Sequence, residues 1–192
     1  MRWIWAMNPL DLYIGTVKLY RKEYYLSHKV VENFLSKKNY NTLYNAMTSE
    51  YFPWYYNNYK LHNVPNQLFH YQLTHIFFKN NKINSSYFEI LKPLIKKIKV
   101  NTLIKIKANL NPISQDLIQF GSHVDNVDGV GDPTYQSVIY YLNSNNGYTK
   151  LKNKKIKSKA NTAVFFPSST SHSGTNSTNC NNRMVINIIY VL

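Results

Sequence analysis

The sequence predicts a mainly β domain with flanking helices, and three observations carry that prediction. Helical periodicity is confined to the first hundred residues, two-residue alternation and short apolar runs fill the remainder, and turn-forming clusters separate those runs. A sheet must bury one face, so two helices followed by many short strands argue for an antiparallel sandwich or barrel with the helices packed outside it. At 192 residues there is room for one sizeable core.

Residues 29–34 read as a first extended piece. Ser36 then caps a helix in which Tyr40, Leu43, Tyr44 and Met47 recur at helical spacing. Residues 71–78 read as a second extended piece. Ser86, with Glu89 three residues on, forms a capping box for a second helix lined by Leu91, Leu94, Ile95 and Ile98, which Pro93 should kink or interrupt. Beyond residue 100 the period changes to two. Residues 102–110 alternate, with Ile104, Ile106 and Ala108 on one face and Leu103, Lys105, Lys107 and Asn109 on the other. Further strands are expected over 118–127, 136–142, 160–167 and 184–192, with a lysine-rich hairpin across 150–159. No glycine-rich turn follows a strand and opens a helix, which excludes a doubly wound nucleotide fold.

Composition narrows the function classes. Apolar residues make up 44% of the chain and aromatics 15%, so it is globular rather than disordered. The single Cys180 excludes an intrachain disulfide and cysteine-based zinc fingers. The net charge of +14 invites polyanions, but the bias toward Lys, Asn, Ile and Tyr together is what an AT-rich genome produces, so the charge carries little functional weight. No segment has the ~18–20 apolar residues that span a bilayer. Asn8, Pro9 and Asp11 break the apolar start before a signal sequence can form. Residues 1–27 are read as a terminal extension of unknown role, 28–192 as a single domain, and a cytoplasmic location as the default.

Three of the nine acidic residues fall within 125–132. His123 and Asp125 are two apart in an extended segment, so an imidazole and a carboxylate share one face and suit a borderline divalent metal. Of the other histidines, only His172 sits beside a strand in the β-rich half. Arg183 follows eleven residues later, at the opening of the last strand. A guanidinium near such a centre offers a planar fork to a carboxylate, which points to a small dicarboxylate co-substrate.

The ordered set resembles the iron(II)- and 2-oxoglutarate-dependent dioxygenases, in particular their prolyl-hydroxylase-like branch. His123-Val-Asp125-Asn126 followed by Ile139-Tyr-Tyr141-Leu-Asn143 is similar to the core of animal oxygen-sensing prolyl hydroxylases. The segments Lys107-Ala-Asn-Leu110, Asn146-Gly-Tyr-Thr149 and Arg183-Met-Val-Ile-Asn187 resemble small superfamily members carried by phages. The resemblance spans roughly 28–192 and is strongest over 121–190. It implies a double-stranded β-helix, or jelly roll, with the N-terminal helices packed on one sheet. It also implies iron(II) held by His123, Asp125 and His172, with Arg183 pairing to the distal carboxylate of 2-oxoglutarate and Tyr141 donating its hydroxyl to the same group. The implied activity consumes O2 and 2-oxoglutarate, releases succinate and CO2, and hydroxylates a C–H bond. A peptidyl or amino-acid substrate, with proline as the leading guess, is the first expectation; an ascorbate requirement stays open, as does a viral origin within a host cell.

Two alternatives stand beside it. The same chemistry could serve a nucleic acid or small metabolite, although Ile189 occupies the position where nucleic-acid demethylases of the superfamily carry a second arginine, which disfavours nucleic-acid binding. Alternatively, a non-catalytic basic jelly roll could bind through its charged face.

Overall fold

In the computed structural model the described residues are 28–60, 71–125 and 135–191. Strand β1 (Lys29–Val31) leads to helix α1 (Lys37–Thr48). The Ser36 side chain accepts a hydrogen bond from the Asn39 N–H and so closes one of the helix's open amides. Leu43 and Met47 are fully buried beneath that helix, as the spacing required. After β2 (Tyr55–Asn57) come β3 (Gln72–Lys79) and the short β4 (Lys82–Ile83).

The second helical region differs from the capping-box expectation. Residues Ser86–Leu91 form a 3₁₀ helix whose cap is Ser85, one residue earlier, accepting from the Tyr87 N–H; helix α2 (Lys92–Ile98) follows directly. Pro93 lies in the first turn of α2, where its missing N–H removes no intrahelical bond, so it starts the helix rather than kinking it. Glu89 instead pairs with Lys92 on the surface at 2.6 Å.

The remaining strands are β5 (Thr102–Pro112), β6 (Tyr135–Tyr141), β7 (Tyr148–Leu151), β8 (Lys154–Lys157), β9 (Thr162–Pro167), β10 (His172–Gly174) and β11 (Asn182–Val191). An eight-stranded antiparallel sheet runs β1-β9-β6-β11-β5-β3-β2, with β4 paired to β3, and a smaller sheet runs β10-β7-β8. This is a jelly roll, mainly β with the helices packed on one sheet, as expected. The lysine-rich hairpin is β7–β8, with Lys152 in a left-handed conformation at its turn. Residues 118–125 do not form the expected strand. They touch β10 through single bridges, Gln119 to Thr175 and His123 to His172. The reason is local: the side-chain amide of Asn176 bonds the Ile118 N–H and the Asp116 carbonyl, drawing off groups a ladder would need.

The large sheet has two different faces. From β5 and β11, Ile106, Ala108, Met184, Ile186, Ile188 and Tyr190 pack with Leu43, Met47, Leu91, Leu94 and Ile98 of the helical layer. Phe52 joins this core against Trp54, Phe77 and Tyr87, so the aromatic 52–59 segment is partly helix-side packing, while its β2 portion edges the sheet. The opposite face of β5 and β11 looks toward the smaller sheet and bounds a cavity.

Candidate active site

The cavity has a volume of about 270 Å³ and is open at one side. Alternation sends Lys105, Lys107, Asn109 and Asn111 of β5, and Arg183, Val185, Asn187 and Ile189 of β11, into its wall. The two strands pair in register so that Arg183 faces Asn111, Val185 faces Asn109 and Asn187 faces Lys107. His123, Asp125, His172 and Thr149 close it from the other side.

His123, Asp125 and His172 each offer one ligand atom, and those atoms all lie within 4.8 Å of one another. Backbone pairing creates the convergence. The His123 N–H donates to the His172 carbonyl at 2.9 Å and the His172 N–H returns to the His123 carbonyl at 2.8 Å, which sets the imidazole rings 4.4 Å apart. The Asp125 N–H donates to the Ser168 carbonyl, which holds the carboxylate beside them.

The surrounding bonds orient each group. Nδ1 of His172 lies 3.0 Å from the Thr170 carbonyl; a carbonyl only accepts, so Nδ1 donates and Nε2 is the nitrogen left facing Asp125 and His123. That Nε2 lies 3.8 Å from Oδ2 of Asp125. The Ser137 hydroxyl donates to the same oxygen at 2.6 Å and is itself bonded to Ser168. His123 has its pKa held below the ordinary imidazole value, chiefly by withdrawal from bulk water and then by the neighbouring His172. The His123 imidazole thus suits a metal, which needs the neutral ring. Two histidines and one carboxylate on one side of an ion form the facial set typical of non-haem iron(II). The residues present fit the metal.

Arg183 is 2% exposed, and its guanidinium donates only to neutral groups: Nε to Ser158 Oγ at 2.7 Å, Nη2 to Thr149 Oγ1 at 3.0 Å and Nη1 to the Thr175 carbonyl at 3.3 Å. Among the described residues no carboxylate pairs with it. Burial lowers its pKa, with Tyr141 opposing that shift. A buried cation with neutral partners, at the wall of a cavity, fits an incoming carboxylate that would compensate it. Two glycines keep the approach open. A Cβ on Gly147 would lie 2.7 Å from Arg183 Cδ and 2.4 Å from the Asn176 carbonyl oxygen, whereas one on Gly174 would come within 3.4 Å of Nη1.

Tyr141 lies beside Arg183, and its side chain also hydrogen-bonds Arg183 and Thr149. It is wholly buried in a second apolar cluster with Ile139, Leu151, Ile156, Val164, Phe166 and Val185, behind the cavity wall. Its hydroxyl donates to the Ile156 carbonyl at 3.3 Å, and its ring lies 5.5 Å from Cζ of Arg183. The tyrosine therefore backs the guanidinium, while Thr149 reaches both Arg183 and the cavity. Burial also raises the Tyr141 pKa. Asn126, Asp128 and Asp132 lie outside the described residues.

Sequence reasoning missed several wall residues. Lys60, whose Nζ lies 3.3 Å over the Phe120 ring, and Lys107 both face the cavity. Burial brings Lys60 to a pKa of about 7, with Arg183 repelling it further, and Lys107 to about 8. The alternation within 102–110 had placed Lys107 opposite the core face; nothing in it said that this face was also enclosed. Ser137 carried no signal at all. His75, by contrast, is a core histidine: Nδ1 donates to the Pro53 carbonyl and Nε2 bonds Ser85, each at 2.7 Å.

Comparison with known proteins adds to this geometry. Residues 114–191 match the 2OG-Fe(II) oxygenase superfamily. That span carries His123, Asp125, His172 and Arg183, so this part of the chain is similar to the iron(II)- and 2-oxoglutarate-dependent oxygenases. Solved structures share its fold. The viral collagen prolyl hydroxylase of Paramecium bursaria Chlorella virus 1, in complex with 2-oxoglutarate, is 16% identical, with 86% of this chain and 96% of that chain covered and a TM-score of 0.56. A Trichoplax adhaerens prolyl hydroxylase bound to a hypoxia-inducible-factor peptide is 15% identical over 97% and 94%, with a TM-score of 0.61. HygX of Streptomyces hygroscopicus, with nickel and 2-oxoglutarate bound, is 11% identical over 97% and 87%, with a TM-score of 0.54. At these identities the likeness is one of fold. No curated protein matches the chain. Among the described residues no helix is long and apolar enough to cross a membrane.

Proposed function

We propose that the protein hydroxylates a C–H bond of an amino acid, free or within a peptide, with proline the leading candidate. His123, Asp125 and His172 hold iron(II), and Arg183 receives the distal carboxylate of 2-oxoglutarate. Bound iron(II) with 2-oxoglutarate and O2 supplies oxidative decarboxylation to succinate and CO2, coupled to oxidation of the substrate C–H. The chain's own residues orient and insulate. Ser137 and the Thr170 carbonyl fix the carboxylate and one imidazole. Thr149, Ser158 and the Thr175 carbonyl aim the guanidinium, and Tyr141 supports it from behind. Phe120, Ile139, Val185 and Ile189 give the cavity its apolar lining.

The observation that carries this reading is the convergence of three ligand atoms within 4.8 Å in the same cavity as a buried guanidinium with no acidic partner among the described residues. Replacing Asp125 by Ala is expected to abolish both iron(II) binding, followed by calorimetry, and succinate release from 2-oxoglutarate. Retained metal binding in that variant would remove the site from this role. The prolyl-hydroxylase folds among the solved structures support an amino-acid substrate, and comparison of proline-containing peptides, free amino acids, nucleotides and small metabolites for stimulated succinate release decides the class.

A further inference from the structure

The cavity wall carries two groups of cations at opposite ends. Arg183 and Lys60 both line the cavity and belong to one end, since Arg183 repels the Lys60 ammonium. Lys107 belongs to the other: its neighbours are Lys105, Lys79 and Asp125. Lys107 is paired across the strands with Asn187, four residues along β11 from Arg183. At a rise of about 3.3 Å per residue, the two positions are about 13 Å apart. Among the described residues, Asp125 is the sole carboxylate lining the cavity, and it accepts from Ser137.

The wall between the two ends is equally unusual. Asn109 and Asn187 line it, and the side-chain oxygen of each is buried with no hydrogen-bond partner among the described residues. Buried amides without partners are expensive, and they are retained where a ligand supplies the missing groups. Lys107 offers a cation, and the two asparagines offer acceptors. We propose that the prime substrate is a free amino acid, its carboxylate held by Lys107 and its ammonium group by the side-chain oxygens of Asn109 and Asn187. This deepens the oxygenase reading and rests on it. An internal residue of a peptide brings neither charge and leaves Lys107 unpaired in the cavity, so the structure favours the free acid over the peptide.

The test compares the proteinogenic L-amino acids with their carboxamides. Binding to the zinc(II)-loaded full-length protein with 2-oxoglutarate present is read by calorimetry, and succinate release is read on the iron(II)-loaded protein. At least one free acid is expected to bind tenfold or more tightly than its carboxamide. Lys107→Gln should raise the KM for that acid at least tenfold and move the KM for 2-oxoglutarate less than twofold, while Lys107→Arg should restore most of the affinity. Arg183→Gln should show the converse, a raised KM for 2-oxoglutarate. Equal binding of acids and carboxamides, no binding by any free acid, or an unchanged KM in Lys107→Gln overturns the proposal and leaves the oxygenase reading standing. Failure to bind zinc(II) and 2-oxoglutarate at all overturns both.

Discussion

On β11, Met184, Ile186, Ile188 and Tyr190 turn toward the helices, whereas Arg183, Val185, Asn187 and Ile189 turn toward the cavity. Both sets are largely buried, yet they obey different rules. The helix-facing set is apolar, closely packed and free of unmet hydrogen-bonding groups. The cavity-facing set alternates an arginine and an asparagine with two apolar residues, and the neighbouring face of β5 adds two lysines and two asparagines. One strand pair thus holds the fold together with one face and sacrifices stability for binding with the other, a division expected where an active site is built on a rigid scaffold.

The largest test of that division substitutes adjacent residues. Ile186 is wholly buried among Leu and Ile side chains, so Ile186→Ala should lower the unfolding free energy by about 2–5 kcal/mol. Asn187, one residue on and pointing the other way, has a side-chain oxygen with no partner among the described residues. Removing it in Asn187→Ala is expected to change stability by less than about 0.5 kcal/mol, or to raise it. Denaturant midpoints of the two variants measure the contrast directly. Similar losses at both positions would mean that the cavity face contributes to the fold as the core face does.

A sharper comparison lies within the cavity, between groups that would touch the metal and the group that aims one of them. Ser137 is 1% exposed and donates to Asp125 at 2.6 Å. Ser137→Ala is expected to weaken iron(II) or zinc(II) binding about 10–100-fold, the usual effect of removing a partner of a metal-ligating group. Stability of the metal-free protein should fall by only about 1 kcal/mol. Metal titration alongside thermal unfolding separates the two effects, and a loss of stability without loss of metal affinity would make Ser137 a packing residue.

The same two faces explain what was legible in the sequence. The helix at 37–48 was readable because its cap and its apolar stripe agree. β5 and β11 were readable because they alternate, and His123, Asp125 and His172 because their residue types are scarce in this chain and occur in family order. The 118–127 segment was misread because apolar content alone cannot show that Asn176 occupies its backbone groups. The Ser-x-x-Glu spacing points to Ser86 as the cap, but Ser85 holds the extended backbone that a cap requires. Tyr141 is placed beside Arg183, but its contact with the Ile156 carbonyl depends on a side-chain direction that the sequence does not show. Lys60 and Lys107 were illegible for a related reason: a lysine in a polar stretch reads as solvated until a second sheet is placed over it.

Lys107 gives the finest test, because its effect on the unliganded protein has a defined sign. Burial first, then Lys105 and Lys79, bring its pKa from 10.5 down to about 8, with Asp125 opposing them. Below about pH 8 the lysine is charged in both the folded and the unfolded chain, and the folded protein bears the full penalty. Between about pH 8 and 10.5 the unfolded chain holds a proton that the folded chain has lost, so stability rises with pH through that window. Lys107→Met removes the penalty at its source. The variant should therefore melt a few degrees above wild type at pH 7, about 2–4 °C for each kcal/mol in a chain of this size. That advantage should shrink as the pH approaches 10.5, since wild type recovers its own stability there. The double difference between pH 7 and pH 10 isolates Lys107 from Lys60, whose shift is common to both proteins. A variant less stable than wild type at pH 7 would show that the protein's own contacts hold this lysine favourably, and the contrast between a stabilising face and a binding face would not extend to the β5 strand.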